Sequence, residues 1–252
     1  MSEQNDNLTK IIIASGIGYN LLNKYSNSIT YDDLSKKHTI DSFDNNPLLI
    51  VSNHMTLVDS SILHSYFLSV FKYYGLIKNN FRPFVWNLPA KENLELLKNS
   101  YENNLSRSFF YKFGRIVPIE RNDPDSAKKT LDHVVDMMIN KNHVFNIFPE
   151  AGRTRRDEFD KQDITPGASK IIYDIYKITN KFPNVLCVYL RSEKQKGMSD
   201  KPFPGTINIV ARKLDMKNFT FNKSDLRNKK QISDLIGNQL DRNQIVWKSQ
   251  LK

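Results

Sequence analysis

Two apolar patterns alternate along the 252-residue chain: short continuous runs rich in β-branched residues, and longer stretches with an apolar residue every three or four positions. The first clear run, Pro47-Leu48-Leu49-Ile50-Val51, lies between the polar residues Asp41–Asn46 and Ser52-Asn53 and predicts a buried strand. From Thr56 to about Tyr74 the apolar positions Leu57, Ile62, Leu63, Tyr66, Phe67, Val70, Phe71 and Tyr74 recur at helical spacing, so the chain turns from strand to helix at His54. Further on, Phe81–Leu88 predicts an aromatic segment containing a strand, and Lys91–Phe113 a mostly helical stretch stopped by Gly114. Ile116–Ile119 predicts a strand confined to an edge or a strand end by Pro118, which cannot donate to a ladder.

Ser126 can cap a helix whose Ala127, Leu131, Val134, Val135 and Met138 form one stripe. Val144–Phe148 reads as a strand, Gly167–Thr179 as a helix, and Val185–Leu190 as a second buried strand. Ile207–Val210 and a C-terminal helix carrying Ile232, Leu235, Ile236 and Leu240 complete the pattern. Strands alternating with helices predict a single layered α/β domain, with a largely parallel or mixed sheet flanked by helices, over residues 47–252. Residues 1–46 form an N-terminal helical, membrane-proximal segment in this reading: an amphipathic helix at Ile11–Leu22, then a connection with marginal strand (Ser28–Tyr31) and helix content. The apolar face of Ile11–Leu22 suits either a membrane surface or packing on the domain.

Composition narrows the partners. The chain carries 37 basic and 27 acidic residues, a net charge of +10, which suits nucleic acid, an acidic membrane or a phosphorylated substrate. No nucleic-acid motif occurs and the aromatic residues fall mainly at core positions, so no nucleic acid is expected. The single cysteine, Cys187, excludes an internal disulfide framework and a multi-cysteine metal site, and fits a reducing, cytoplasmic compartment. No apolar run reaches the roughly 18 residues needed to cross a bilayer, so neither a transmembrane helix nor a cleaved signal is expected. Gly-x-Ser-x-Gly and His-Glu-x-x-His are both absent, which argues against a serine hydrolase and a zinc hydrolase.

The candidate chemistry sits in three blocks. In Asn53-His54-Met55-Thr56-Leu57-Val58-Asp59, His54 and Asp59 would lie about 140° apart on one continuous helix, so they meet only if His54 precedes the helix and Asp59 opens it. Joined in that way, the carboxylate fixes one imidazole nitrogen as a donor and leaves the other to accept a proton from a hydroxyl. Taken alone, the pair is equally well read as a helix cap and a first-turn acid. In Phe148-Pro149-Glu150-Ala151-Gly152-Arg153-Thr154-Arg155-Arg156, arginines follow a strand end, where open α/β sheets place ligands. Gly152 would let the backbone approach a phosphate, and Glu150 can pair with an arginine and anchor the loop; a solvated basic loop is the alternative. The remaining block, Gly114 to Arg121, is a strand ending in Glu120 and Arg121, and gains weight only from lying between the other two.

In this order the blocks resemble the glycerolipid acyltransferase superfamily, whose best-known members are the 1-acyl-glycerol-3-phosphate acyltransferases. Asn53-His54…Asp59 matches its asparagine–histidine–four residues–aspartate block, Gly114…Arg121 its second block, and Phe148–Thr154 its Phe-Pro-Glu-Gly-Thr-Arg-Ser block. The third match departs from the family, so Arg153 and Arg155 compete for the place of one phosphate-binding arginine. Pro47–Asp59 and Phe109–Arg121 also look like tafazzin, a transacylase of the same superfamily. The resemblance implies acyl transfer from a thioester, coenzyme A or acyl carrier protein, to a lysophospholipid hydroxyl in phospholipid biosynthesis, with no cofactor and no metal. His54 and Asp59 would be catalytic, Arg121, Arg153 and Arg155 would bind the acceptor's phosphate, and Asn53, Glu150 and Gly152 would organise the site. The acceptor lipid and the basic surface together imply a peripheral, monotopic association with an anionic membrane.

Overall fold

The computed structural model describes residues 27–56, 59–72, 85–88, 117–150, 158–199 and 204–251. The expected helices at Ile11–Leu22 and Lys91–Phe113 lie outside these residues, as do Gly152, Arg153 and Arg155. In chain order the elements are β1 (Asn27–Tyr31), α1 (Asp33–Ser42), β2 (Leu48–Ser52), α2 (Asp59–Lys72), β3 (Val85–Asn87), α3 (Pro124–Asn140), β4 (Val144–Ile147), α4 (Gly167–Thr179), β5 (Asn184–Ser192), β6 (Gly205–Lys213) and α5 (Asp225–Ser249).

The strands make one six-stranded sheet in the order β1-β6-β5-β2-β4-β3. Every neighbouring pair is parallel except β5 with β6, so the sheet is mixed but mostly parallel. Residues 27–46 are part of it: β1 pairs with β6 at the edge, and Arg212 of β6 forms an ion pair with Asp32, the N-cap of α1, at 2.7 Å. The expected connection ahead of the domain therefore contributes an edge strand and a packed helix. Its short, half-polar strand carries little apolar pattern because only the pairing with β6, far off in sequence, makes it a strand.

Alternation along β2 divides the core. Leu48 and Ile50 join α2, Leu186, Val188, Ile207 and Ile209 on one face. Leu49 and Val51 face the other way and pack with residues of α3, α4 and α5, including Val134, Ile171 and Ile236. All five residues of β2 are buried, which explains why it reads as a continuous apolar run.

Two boundaries differ from the sequence pattern. Helix α3 begins at Pro124 rather than after Ser126, because Asp123 accepts bonds from the Asp125 and Ser126 N–H groups and proline suits the first helical position. In place of a strand at Ile116–Ile119, residues 117–120 hold a single bridge residue, Ile119, and Val117 N–H donates to the Asn87 carbonyl at 3.0 Å. Pro118 supplies no donor with which to extend that pairing.

Candidate active site

Strands β2 and β4 are parallel neighbours, yet the helices that follow them pack on opposite faces of the sheet. A crevice opens at the carboxyl ends of two strands arranged in this way. His54 follows β2 and Phe148 to Glu150 follow β4, so these residues lie at the carboxyl ends of the two strands.

Asn53, fully buried, extends the contact of β2 with β5 beyond the last strand residue. Its side chain acts as a peptide group would, donating to the Leu190 carbonyl at 3.0 Å and accepting from Leu190 N–H at 2.8 Å. This fixes the backbone just before His54. On the far side of β2, Ser52 Oγ donates to Asn146 Oδ1 at 2.9 Å, and Asn146 Nδ2 donates to Asn87 Oδ1 at 3.3 Å. A buried polar row thus ties β2, β4 and β3 together beneath the site.

Asp59, first residue of α2, points back at residues 54–56. His54 Nδ1 lies 3.0 Å from Asp59 Oδ2. The same oxygen accepts Met55 N–H at 2.6 Å and Thr56 N–H at 2.8 Å, and Oδ1 accepts the Thr56 hydroxyl at 2.5 Å. Asp59 is completely buried, so a carboxylate there requires this full set of donors. Three of the donors belong to residues 55 and 56, which sequence reading passed over; only the tight turn gives them a role.

With a carboxylate as partner, Nδ1 carries the imidazole proton and Nε2 is left with its lone pair. Nε2 makes no hydrogen bond among the described residues, and the side chain is 14% exposed. The ring stacks on Phe148, with centroids 4.0 Å apart and planes 18° from parallel. The carboxylate of Glu150 accepts His54 N–H at 2.9 Å. His54 is therefore held at its ring face, its backbone and Nδ1, while Nε2 remains available.

The acyltransferase family profile matches residues 30–186. The chain belongs to the acyltransferase family. A search among curated proteins found no match. Among solved structures, the 1-acyl-sn-glycerophosphate (LPA) acyltransferase PlsC of Thermotoga maritima superposes with a TM-score of 0.56 at 12% identity. The superposition covers 92% of this chain and 79% of PlsC, and shows that the two share a fold.

In this acyltransferase the structure brings His54, Asp59 and Glu150 together, with Asn53 behind them. Arg121 is exposed in the turn between Ile119 and α3, where the neighbouring Glu120 accepts from Ser126 Oγ at 3.4 Å. Gly152, Arg153 and Arg155 fall outside the described residues, a few positions beyond Glu150. Burial pushes the Cys187 thiol well above its ordinary range and keeps it protonated, which makes it unfit as a nucleophile. Burial likewise depresses His64 on α2, whose Nδ1–H donates to the Ser60 carbonyl at 2.7 Å, so this histidine is neutral and serves packing. Among the described residues, no group of three or more His, Cys, Asp or Glu is placed to hold a metal ion. No helix among them is long and apolar enough to cross a membrane.

Proposed function

We propose that this acyltransferase moves a fatty acyl group from a thioester, acyl-coenzyme A or acyl carrier protein, to the hydroxyl of a lysophospholipid, with 1-acyl-glycerol-3-phosphate as the acceptor in phospholipid biosynthesis. The observation that carries the reading is the His54–Asp59 pair: a buried carboxylate holds Nδ1 while Nε2 stays open. Nε2 takes the hydroxyl proton as the oxygen attacks the thioester carbonyl carbon. The tetrahedral adduct then expels the thiolate, which takes the proton from His54, leaving a new ester and a free thiol. Asp59 keeps the imidazole in the reactive tautomer and balances its charge while it is protonated.

Arg121, Arg153 and Arg155 are proposed to hold the acceptor's phosphate, since guanidinium groups grip phosphate through two parallel bonds. Glu150 fixes the His54 backbone, and with Gly152 it shapes the loop that presents the arginines. Membrane contact is assigned to the N-terminal segment and the basic surface, with the protein peripheral on the cytoplasmic leaflet. The PlsC likeness and the charge of +10 support a phosphorylated lipid acceptor.

The test is direct incubation of purified protein with lysophosphatidate, then other lysolipids, and with acyl-coenzyme A or acyl carrier protein, reading products by mass. Phosphatidate formed from a thioester, and lost in His54→Ala, is the expected outcome. Acyl transfer from an intact phospholipid without any thioester would replace it with a tafazzin-like transacylation, and no acylated product from any donor would overturn the proposal.

A further inference from the structure

Arg191, the second-to-last residue of β5, is nearly buried, at 7% exposure, and its guanidinium carbon lies 5.3 Å from the centre of the Trp247 ring. Trp247 Nε1–H donates to the Arg191 carbonyl at 3.2 Å, so α5 grips both ends of this residue. The guanidinium donates through Nε, at 3.2 Å, and through Nη2 to one acceptor, the Gln195 carbonyl. Gln195 is also buried; its backbone N–H donates to the Ser192 carbonyl at 3.0 Å, and its side-chain amide donates to the Gly197 carbonyl at 2.9 Å. Gly197, at φ 59°, bends the chain in the left-handed region. Two residues later, Ser199 N–H donates to the Met55 carbonyl at 3.0 Å and Ser199 forms a parallel bridge with Thr56.

Residues 55 and 56 are thus held from two sides: Asp59 takes their N–H groups, and the β5–β6 connection takes the Met55 carbonyl. From these observations we infer that Arg191 is a positioning residue for the catalytic pair, acting through residues 195–199 on the turn that joins His54 to Asp59. A displacement of about 1 Å in a reacting group can cost as much as 10²-fold in rate, so a clamp on that turn bears on turnover. Burying a guanidinium is costly unless its bonds are made, and here two of them serve one loop carbonyl. The kinetic consequence of this arrangement rests on the acyl-transfer reading above; its effect on the imidazole does not.

Arg191→Met keeps an apolar chain over Trp247 and removes the donors, whereas Ser199→Pro removes the N–H that donates to the Met55 carbonyl. Each variant should lose roughly 10-fold in kcat with both KM values within about twofold of wild type, the pattern of a lost alignment rather than a lost binding contact. In protein labelled with ¹⁵N-histidine, the His54 Nδ1–H signal should broaden or exchange faster in both variants. Arg191→Lys should restore only part, because an ammonium cannot present two parallel donors. Folded variants with wild-type kcat and an unchanged His54 signal, even with a lowered melting temperature, would overturn the inference. If Arg191→Met does not fold, Arg191→Lys and Ser199→Pro decide by the same two readouts. If wild type acylates no lysolipid, the functional reading fails by itself, and an unchanged His54 signal in the variants still overturns the positioning role.

Discussion

Replacing Asp59 by asparagine separates the charge of this residue from its scaffold. The carboxylate accepts from Met55 N–H, Thr56 N–H and His54 at Oδ2, and from the Thr56 hydroxyl at Oδ1. An amide with its oxygen at the Oδ2 position keeps the first three acceptances. Its NH₂ then faces the Thr56 oxygen, which can turn its hydroxyl and accept. Geometry survives, and what goes is the negative charge, which makes such bonds about twice as strong as neutral ones. A stability loss of about 1–3 kcal/mol follows, small enough for the fold to persist. Turnover should fall much further, by roughly 10²–10⁴-fold, because the imidazolium formed during attack has lost its counter-charge. Asp59→Ala is the less informative variant: it strands three buried donors of residues 55 and 56 at about 1–3 kcal/mol each and puts the fold at risk. The assay pairs thermal melting with initial rates of thiol release from acyl-coenzyme A at saturating lysophosphatidate. Asp59→Asn with a wild-type kcat would refute the reasoning, since the pair would then have no electrostatic part in the reaction.

His54→Ala should lower kcat by ~10²–10⁴-fold and cost only about 1–3 kcal/mol of stability, because it removes the Phe148 stack and the Nδ1 bond but leaves Asp59 its donors from Met55 and Thr56. Arg153→Ala or Arg155→Ala should raise the acceptor's KM and leave the donor's nearly unchanged; equal loss for both substrates would assign the loop to the donor's carrier or to the fold. Deleting residues 1–22 should weaken binding to anionic vesicles in a sedimentation assay, and added salt should weaken what remains. The carboxyl of Asp32 is held below its ordinary value of 3.8: burial raises it, but hydrogen bonds from Arg212 and Ser35 outweigh that. A lowered native value means its contribution to stability is complete above the unfolded value and is lost as pH falls through the native one. Melting temperatures followed downward from about pH 5 should therefore fall less steeply in Arg212→Met than in wild type.

Much of this architecture was legible because buried parallel strands announce themselves. Leu48–Val51, Val144–Ile147 and Val185–Leu190 are buried on both faces and apolar at every position but Asn146, so the apolar runs located them without any knowledge of their partners. β1 gave only a faint pattern, since its definition comes from β6 rather than from its own side chains. The start of α3 was misplaced by three residues because Ser126 and Asp123 both qualify as caps, and only backbone geometry selects the aspartate. At the site, the spacing of His54 and Asp59 let them meet only with His54 ahead of the helix, and in the structure His54 lies there, bonded to Asp59. The use of Asn53 as a peptide mimic against Leu190 was not legible, because it depends on which strand lies beside β2. The same is true of Arg191, whose partner Gln195 is close in sequence but whose effect reaches Met55 only through the fold.

The reach of the first and third blocks toward each other follows from strand order rather than from sequence distance. His54 and Glu150 are 96 residues apart, yet the register of β2 against β4 sets Val51 beside Ile147, three residues before each of them. Two chains leaving adjacent parallel strands at the same level must diverge, because α2 and α4 pack on opposite faces. In the gap between them, His54 N–H would be an unpaired donor were it not for the Glu150 carboxylate, and the imidazole ring would have open space beneath it were it not for Phe148. The Phe-Pro-Glu sequence thus supplies a ring and a carboxylate two residues apart, matched to the ring and the backbone N–H of one histidine. That pairing gives Glu150 a structural use of its own, since its carboxylate fixes the backbone N–H of the histidine that Phe148 stacks on.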